Sequence, residues 1–305
     1  MYIIGKSIVN REQLLETIKH DRYIEIQLYS EFENFNDCVQ DLFNEITSID
    51  EVDVRCVHCP LIKGIDLNIE YVWDQDDYFM LERTVALASM LSVHYGHPVK
   101  VIFHTELSRR LYEKIPYLYE AIRNFVQYAL NMPGQVDVCI ENVIPFKIDK
   151  QGDVFFRNGV YDDNIELVKR LREDLATDRV KTVLDTCHMM VTMRTVEKMF
   201  VAETDAYNAK SSEDFFKMNA PYIGLIHLAD VIGLGTNRMT HGIAFEEERL
   251  HVMREFISYY VKYGYDCDIT LEIQERNYYN RVALASDYGD LQNICKEYGI
   301  TVENE

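Results

Sequence analysis

The sequence predicts an α/β protein that closes as a (β/α)8 barrel, and three features of the chain carry that prediction. Short β-branched or aromatic runs alternate with long amphipathic segments, the order that builds a parallel sheet. There are about eight such runs, the number that closes a barrel. The length of 305 residues lies near the roughly 250 at which such barrels fold as one unit.

The predicted strands are residues 2–8, 23–28, 52–58, 100–104, 136–141, 181–185, 222–227 and 268–272. Between them, Leu111, Ile115, Leu118, Ile122, Phe125 and Ala129 step by four and three, which places all six on one helix face. Ile165, Val168, Leu171 and Leu175 repeat the pattern, as do Leu250, Met253, Phe256, Ile257 and Tyr260. The Met and aromatic members of these stripes read as core. No Pro/Gly/Ser-rich linker or short-period repeat divides the chain, so residues 1–305 are expected to form a single domain. Two long connections, 143–160 with Gly152 and Gly159 and 230–243 with Gly233, Gly235 and Gly242, read as loops. Both follow strand C-termini, where a barrel keeps its active site.

The composition is that of a globular protein, with 48% hydrophobic and 27% charged residues, 13 Gly and 6 Pro. A formal charge of -20 repels polyanions, which disfavours nonspecific nucleic-acid binding and points to a small-molecule partner. The odd set of Cys38, Cys56, Cys59, Cys139, Cys187, Cys267 and Cys295 reads as buried free thiols in a reducing cytoplasm. The N-terminus lacks a cationic segment followed by an apolar one, and no apolar stretch approaches the ~20 residues of a membrane span. A cytoplasmic location without membrane contact is therefore expected; the oligomeric state is left open.

Chemistry concentrates at the strand ends. Six consecutive predicted strands finish with His58, His104, Glu141, Asp185, His227 and Glu272, and His188 follows Asp185 by three residues. Any one of these reads as a hydrogen-bonded structural residue. Closure of the sheet, however, aims all six ends at one mouth. Three carboxylates in one cavity call for a cation to offset repulsion and desolvation. The imidazole–carboxylate mixture suits Zn²⁺, Mn²⁺ or Fe²⁺ better than Ca²⁺ or Mg²⁺. Six ligands are too many for one ion, and a carboxylate such as Glu141 could bridge two, about 3.5–4 Å apart.

The other histidines divide. His20, His94, His97 and His251 fall in or beside predicted helices and are excluded from the site. His241, after the seventh strand, reads equally as ligand or bystander. Cys56 and Cys59 have C-x-x-C spacing without a second pair, so packing is expected for Cys56 and a place at the barrel mouth for Cys59. Trp73, after the third strand, reads as structural.

The words VHCP, FHTE, IEN, LDTCH, HLAD and LEIQE, in that order within residues 1–299, resemble the xylose isomerase-like TIM-barrel superfamily. Within it the likeness is greatest to the endonuclease IV branch, also called AP endonuclease family 2. The resemblance implies one metal on His58, His104 and Glu141, and a second on Glu141, Asp185, His227 and Glu272. His188 matches a ligand of that branch's third zinc. The remaining two ligands, an Asp-Arg-His word, find only Asn237, Arg238 and Met239 here, so a third ion depends on His241 as substitute. One to three ions, Zn or Mn, are thus implied. Where the endonucleases carry an Arg- and aromatic-bearing DNA-probing segment, this chain has Ser30, Glu31, Phe32, Glu33 and Asn34.

Two functions follow as expectations. The first is a two-metal phosphoester hydrolase, with Glu141, Glu272 and His188 as the catalytic set and Arg238, His188 and Asp230 binding substrate. The second is a sugar or sugar-phosphate isomerase or epimerase with one Mn²⁺ on Glu141, Asp185, His227 and Glu272. There Glu141 and Glu272 move a proton between the two faces of a carbon, and His58 and His104 line the pocket.

Overall fold

The computed structural model describes residues 1–8, 22–28, 35–60, 75–105, 116–144, 146–148, 154–156, 161–199, 211–234, 239–275 and 280–303. Strands β1 (Ile3–Ile8), β2 (Tyr23–Gln27), β3 (Asp53–His58), β4 (Val99–His104) and β5 (Val136–Glu141) lead to a hairpin of β6 (Phe146–Ile148) and β7 (Val154–Phe156). Then come β8 (Val180–Asp185) and β9 (Ile223–Leu228), a second hairpin of β10 (Asp230–Ile232) and β11 (Thr240–Ile243), and finally β12 (Asp268–Leu271). In the order β1, β12, β9, β8, β5, β4, β3, β2, eight strands close into a parallel barrel. The fold class is the one the sequence predicts, and every predicted strand matches a barrel strand to within one residue at each end.

Strand alternation explains both layers of the core. Along β2, Ile24 and Ile26, with Leu28 just beyond, join the apolar layer between barrel and helices. Tyr23 and Glu25, on the opposite face, point inward. Ile4, Cys56, Ile102, Cys139, Val183 and Leu225 come from six different strands and pack together with Tyr23; residues so placed meet only inside the barrel.

The helical stripes bury as their spacing requires. Ile122, Phe125 and Ala129 of the helix Pro116–Leu130 are buried, as are Ile165, Val168 and Leu171 of Tyr161–Leu175 and Met253, Phe256, Ile257 and Tyr260 of Leu250–Lys262. Leu111 and Ile115 lie outside the described residues.

The two predicted loops depart from expectation, because each contains an antiparallel hairpin. Strands of three or four residues are too short to show a period of two, so they read as loop. At the opposite end of the barrel, Lys100 pairs with Asp268 at 2.7 Å and Lys181 with Asp137 at 2.7 Å. This charged floor lies at the strand N-termini, away from the end where barrels keep their chemistry. Among the described residues, no helix is long and apolar enough to cross a membrane.

Candidate metal centre

Barrel register sets the predicted site residues side by side. His104 is the ladder partner of Glu141, and Asp185 that of His227. Two groups result in which one ligand atom from each residue lies within 4.8 Å of the others: His58, His104 and Glu141, and Glu141, Asp185, His227 and Glu272. Glu141 belongs to both. Its Oε2 is 3.2 Å from His58 Nε2, 3.4 Å from His104 Nε2 and 3.3 Å from His227 Nδ1. Glu272 Oε2 is 2.9 Å from that same His227 nitrogen. All six sequence-predicted ligands thus face one another at the C-terminal mouth.

The chemistry of these donors fits a divalent cation. His104 Nε2 and His227 Nδ1 are buried ring nitrogens that make no hydrogen bond of ordinary geometry, although each faces a carboxylate. Burial pushes the Asp185 carboxyl up to about 7, and Glu272 and Glu141 add to the rise against the opposing His188 and His227. Burial would also raise Glu141, but the His227 and His104 rings outweigh it and hold that carboxyl well below the usual range. Burial lowers His104, more than Glu141 restores it. For His227, burial is overcome by Glu25, Glu141 and Glu272, which keep its pKa well above the ordinary imidazole value. A buried Asp185 carboxyl pushed toward its protonated form, beside a His227 ring that keeps its proton, is the charge imbalance that a metal would relieve.

Surrounding groups fix the orientation of these side chains. His58 Nδ1–H donates to the Cys59 carbonyl at 2.7 Å, which turns Nε2 toward Glu141 Oε2 at 3.2 Å. His227 is held the other way round, with Nε2 3.0 Å from Glu25 Oε2. Asp185 ends β8 and caps the helix Thr186–Met199, its Oδ1 accepting the His188 N–H at 2.6 Å. This bond accounts for the three-residue spacing in LDTCH. Thr186 Oγ1 donates between the His227 and Ala229 carbonyls, while Cys187 Sγ contacts the Asp230 carbonyl and the Gly242 N–H. Together they tie the β10–β11 hairpin to the site.

The remaining predicted residues fall as follows. His188 lies beside the cluster, its Nδ1 2.8 Å from the Asn142 carbonyl and 3.4 Å from Glu141 Oε1. Burial works against its charged form, but Asp185 and then Glu141 raise it to about 9. The His241 ring on β11 is 5.6 Å from that of His188, centroid to centroid, and His241 belongs to neither ligand group. Asp230, assigned to substrate in the sequence, is buried in a two-pronged ion pair with Arg249, at 2.6 and 2.8 Å. Arg238, His20, Trp73 and the acidic segment at 30–34 lie outside the described residues. His97 pairs with Asp53 on the barrel floor, and His94 and His251 lie on the outer helices Gln75–Tyr95 and Leu250–Lys262. Cys59 does not line the mouth: it is buried in the layer between barrel and helices, beside Thr84.

Two further residues support the cluster and are not marked by a strand-end pattern. Asn142 grips the backbone of Asp185 through its side-chain amide. Glu25 reaches His227 from inside the barrel. Glu25 carries a readable signal, an acid at an inward position of a strand whose other face is apolar.

Solved structures share this architecture at low identity. A xylose isomerase domain protein from Planctomyces limnophilus is 12% identical over 98% of both chains, with a TM-score of 0.62. The TTHB071 protein from Thermus thermophilus, soaked with ZnCl2, is 15% identical over 97% of this chain and 98% of its own, at 0.58. D-psicose 3-epimerase with D-tagatose, from Clostridium cellulolyticum, is 12% identical over 95% and 99%, at 0.55. No curated protein matches the chain. Residues 48–301 match the xylose isomerase-like TIM barrel family, and the chain belongs to that family.

Proposed function

We propose that this chain is a divalent-metal-dependent hydrolase of small phosphoesters, with its ions held in two groups that share Glu141. The observation that supports this reading is the convergence of three imidazole nitrogens on one oxygen, Glu141 Oε2, at 3.2 to 3.4 Å. His58 and His104 are what a one-metal isomerase leaves without a chemical task. Here they complete a second ligand group of the type that takes Zn²⁺ or Mn²⁺. Ions bound there would supply water activation at neutral pH and charge neutralisation for a displaced oxygen. His188, its Nδ1 committed to Asn142, has Nε2 left for a substrate oxygen. The charge of -20 favours a small ester over a nucleic acid.

A second reading has its own support. Glu141 and Glu272 both approach His227 Nδ1, at 3.3 and 2.9 Å, so two carboxylates flank one position. That is the arrangement for proton transfer at a sugar carbon, and a D-psicose 3-epimerase shares the fold.

Elemental analysis after mild purification, with an assay on bis(p-nitrophenyl) phosphate, separates the two. The hydrolase reading expects two Zn or Mn per chain, one of them lost in the His58→Ala/His104→Ala double variant together with the activity. A single Mn per chain, with solvent deuterium entering a sugar carbon, replaces it with the isomerase. Full metal content in both Glu141→Ala and His227→Ala would overturn the metal centre itself.

A further inference from the structure

We infer that Glu25 is a positioning residue for the metal centre, fixing the His227 ring so that Nδ1 faces Glu141 and Glu272 and thereby setting how tightly that group holds its cation. The inference rests on the metal-centre reading above.

The geometry is specific. Glu25 Oε2 lies 3.0 Å from His227 Nε2, and Thr270 Oγ1 donates to the same oxygen at 2.9 Å. Both Glu25 and His227 side chains are 0% exposed. Thr270 and His227 are ladder partners on β12 and β9, so hydroxyl and imidazole reach Glu25 from adjacent strands. An acid inside a barrel is costly to desolvate, and an apolar residue of its size would fill the same space without that cost. Its placement is explained by what it holds.

An imidazole ligates through one nitrogen while the other carries its proton, and the acceptor of that proton sets tautomer, ring angle and basicity. His58 has a backbone carbonyl for this role and offers Nε2. His227 has Glu25 and offers Nδ1. Of the two supports, only the Glu25 carboxylate can be altered by substitution without moving the main chain. Such partners typically change metal affinity by about 10–100-fold.

The test is a zinc titration against a chromophoric chelator for the parent chain, Glu25→Gln and Thr270→Val, with thermal unfolding of each metal-free protein. Glu25→Gln keeps the shape and an acceptor but removes the charge. It is expected to weaken one of the two zinc ions by about 10–100-fold and leave the other unchanged, whatever the change in the metal-free unfolding temperature, because a general loss of packing would weaken both. Thr270→Val is expected to weaken the same ion by a smaller factor. Two ions held as tightly in Glu25→Gln as in the parent would overturn the role of Glu25 while leaving the metal centre intact. A parent that binds no zinc would overturn both. Should Glu25→Gln fail to fold, Thr270→Val decides, and unchanged affinity there overturns the proposal.

Discussion

Asn142 holds both backbone polar groups of Asp185: its Oδ1 accepts the Asp185 N–H at 2.7 Å and its Nδ2 donates to the Asp185 carbonyl at 3.1 Å. The amide thus extends the β5–β8 ladder by one side-chain rung beyond the Glu141–Val183 pair. Its own carbonyl meets His188 Nδ1. Asn142→Ala would strand a buried N–H and C=O, at about 1–3 kcal/mol each. The expected outcome is a loss of about 2–6 kcal/mol in denaturant unfolding, with zinc affinity reduced at the group containing Asp185. An unchanged unfolding midpoint would show that the clamp is dispensable.

Burial pushes the Cys59 and Cys139 thiols up to about 12 and Cys295 to about 11, and raises Cys56 and Cys187 well above their usual value. Thiolate is the reactive form, so these groups are both shielded and protonated at pH 8. Titration of the folded protein with a disulfide reagent at that pH is expected to modify none of the six free thiols at 56, 59, 139, 187, 267 and 295. All should react in denaturant. Rapid modification of Cys59 would contradict its place in the core.

The barrel and its candidate ligands are legible in the sequence for one reason: strand ends are marked by a change from apolar to polar. VIFHTE and VCIEN place His104 and Glu141 where the run stops, and closure does the rest. Glu25 is less legible because it sits mid-strand, where its importance depends on which strand lies across the barrel. That partner, His227, is 202 positions away. Asp230 shows the opposite case. An acid in a chemistry-bearing word reads as available to substrate, and the word does not reveal that Arg249, 19 residues on, bonds both its oxygens. The hairpins are not legible because strands this short have no period to read.

Asp287, buried on the last helix, accepts the Phe245 N–H at 3.1 and 3.2 Å. Burial nonetheless pushes its carboxyl up to about 7, with Asp290, Asp230 and Glu275 adding to the rise and the Phe245 N–H opposing it. The unfolded chain titrates this group near about 3.9. Between those values the folded state keeps a proton that the unfolded state has released, so stability falls as pH rises. The slope is about 1.4 kcal/mol per pH unit at most, and the loss is complete above about pH 7. Asp287→Asn is expected to flatten that part of the stability–pH curve and to gain on the parent above pH 7. Parallel curves for the two proteins from pH 4 to 8 would refute the assignment.

Gly224 lies on β9, the strand that carries His227, and tests whether fold and site can be perturbed separately. A Cβ there would stand 2.7 Å from Lys181 Cβ and Cδ and 3.3 Å from Cys139 Sγ. The Lys181 Cβ is the root of a side chain whose far end pairs with Asp137 at 2.7 Å, so it has little room to swing away. Overpacking of this kind costs about 1–3 kcal/mol. The strained contacts sit near the charged floor, whereas Glu141, His227 and Glu272 meet at the mouth. Gly224→Ala is therefore expected to lower stability to denaturant by that amount while zinc stoichiometry stays at the parent value. Loss of zinc at full stability would mean that β9 shifts as a rigid rod, carrying His227 away from Glu141.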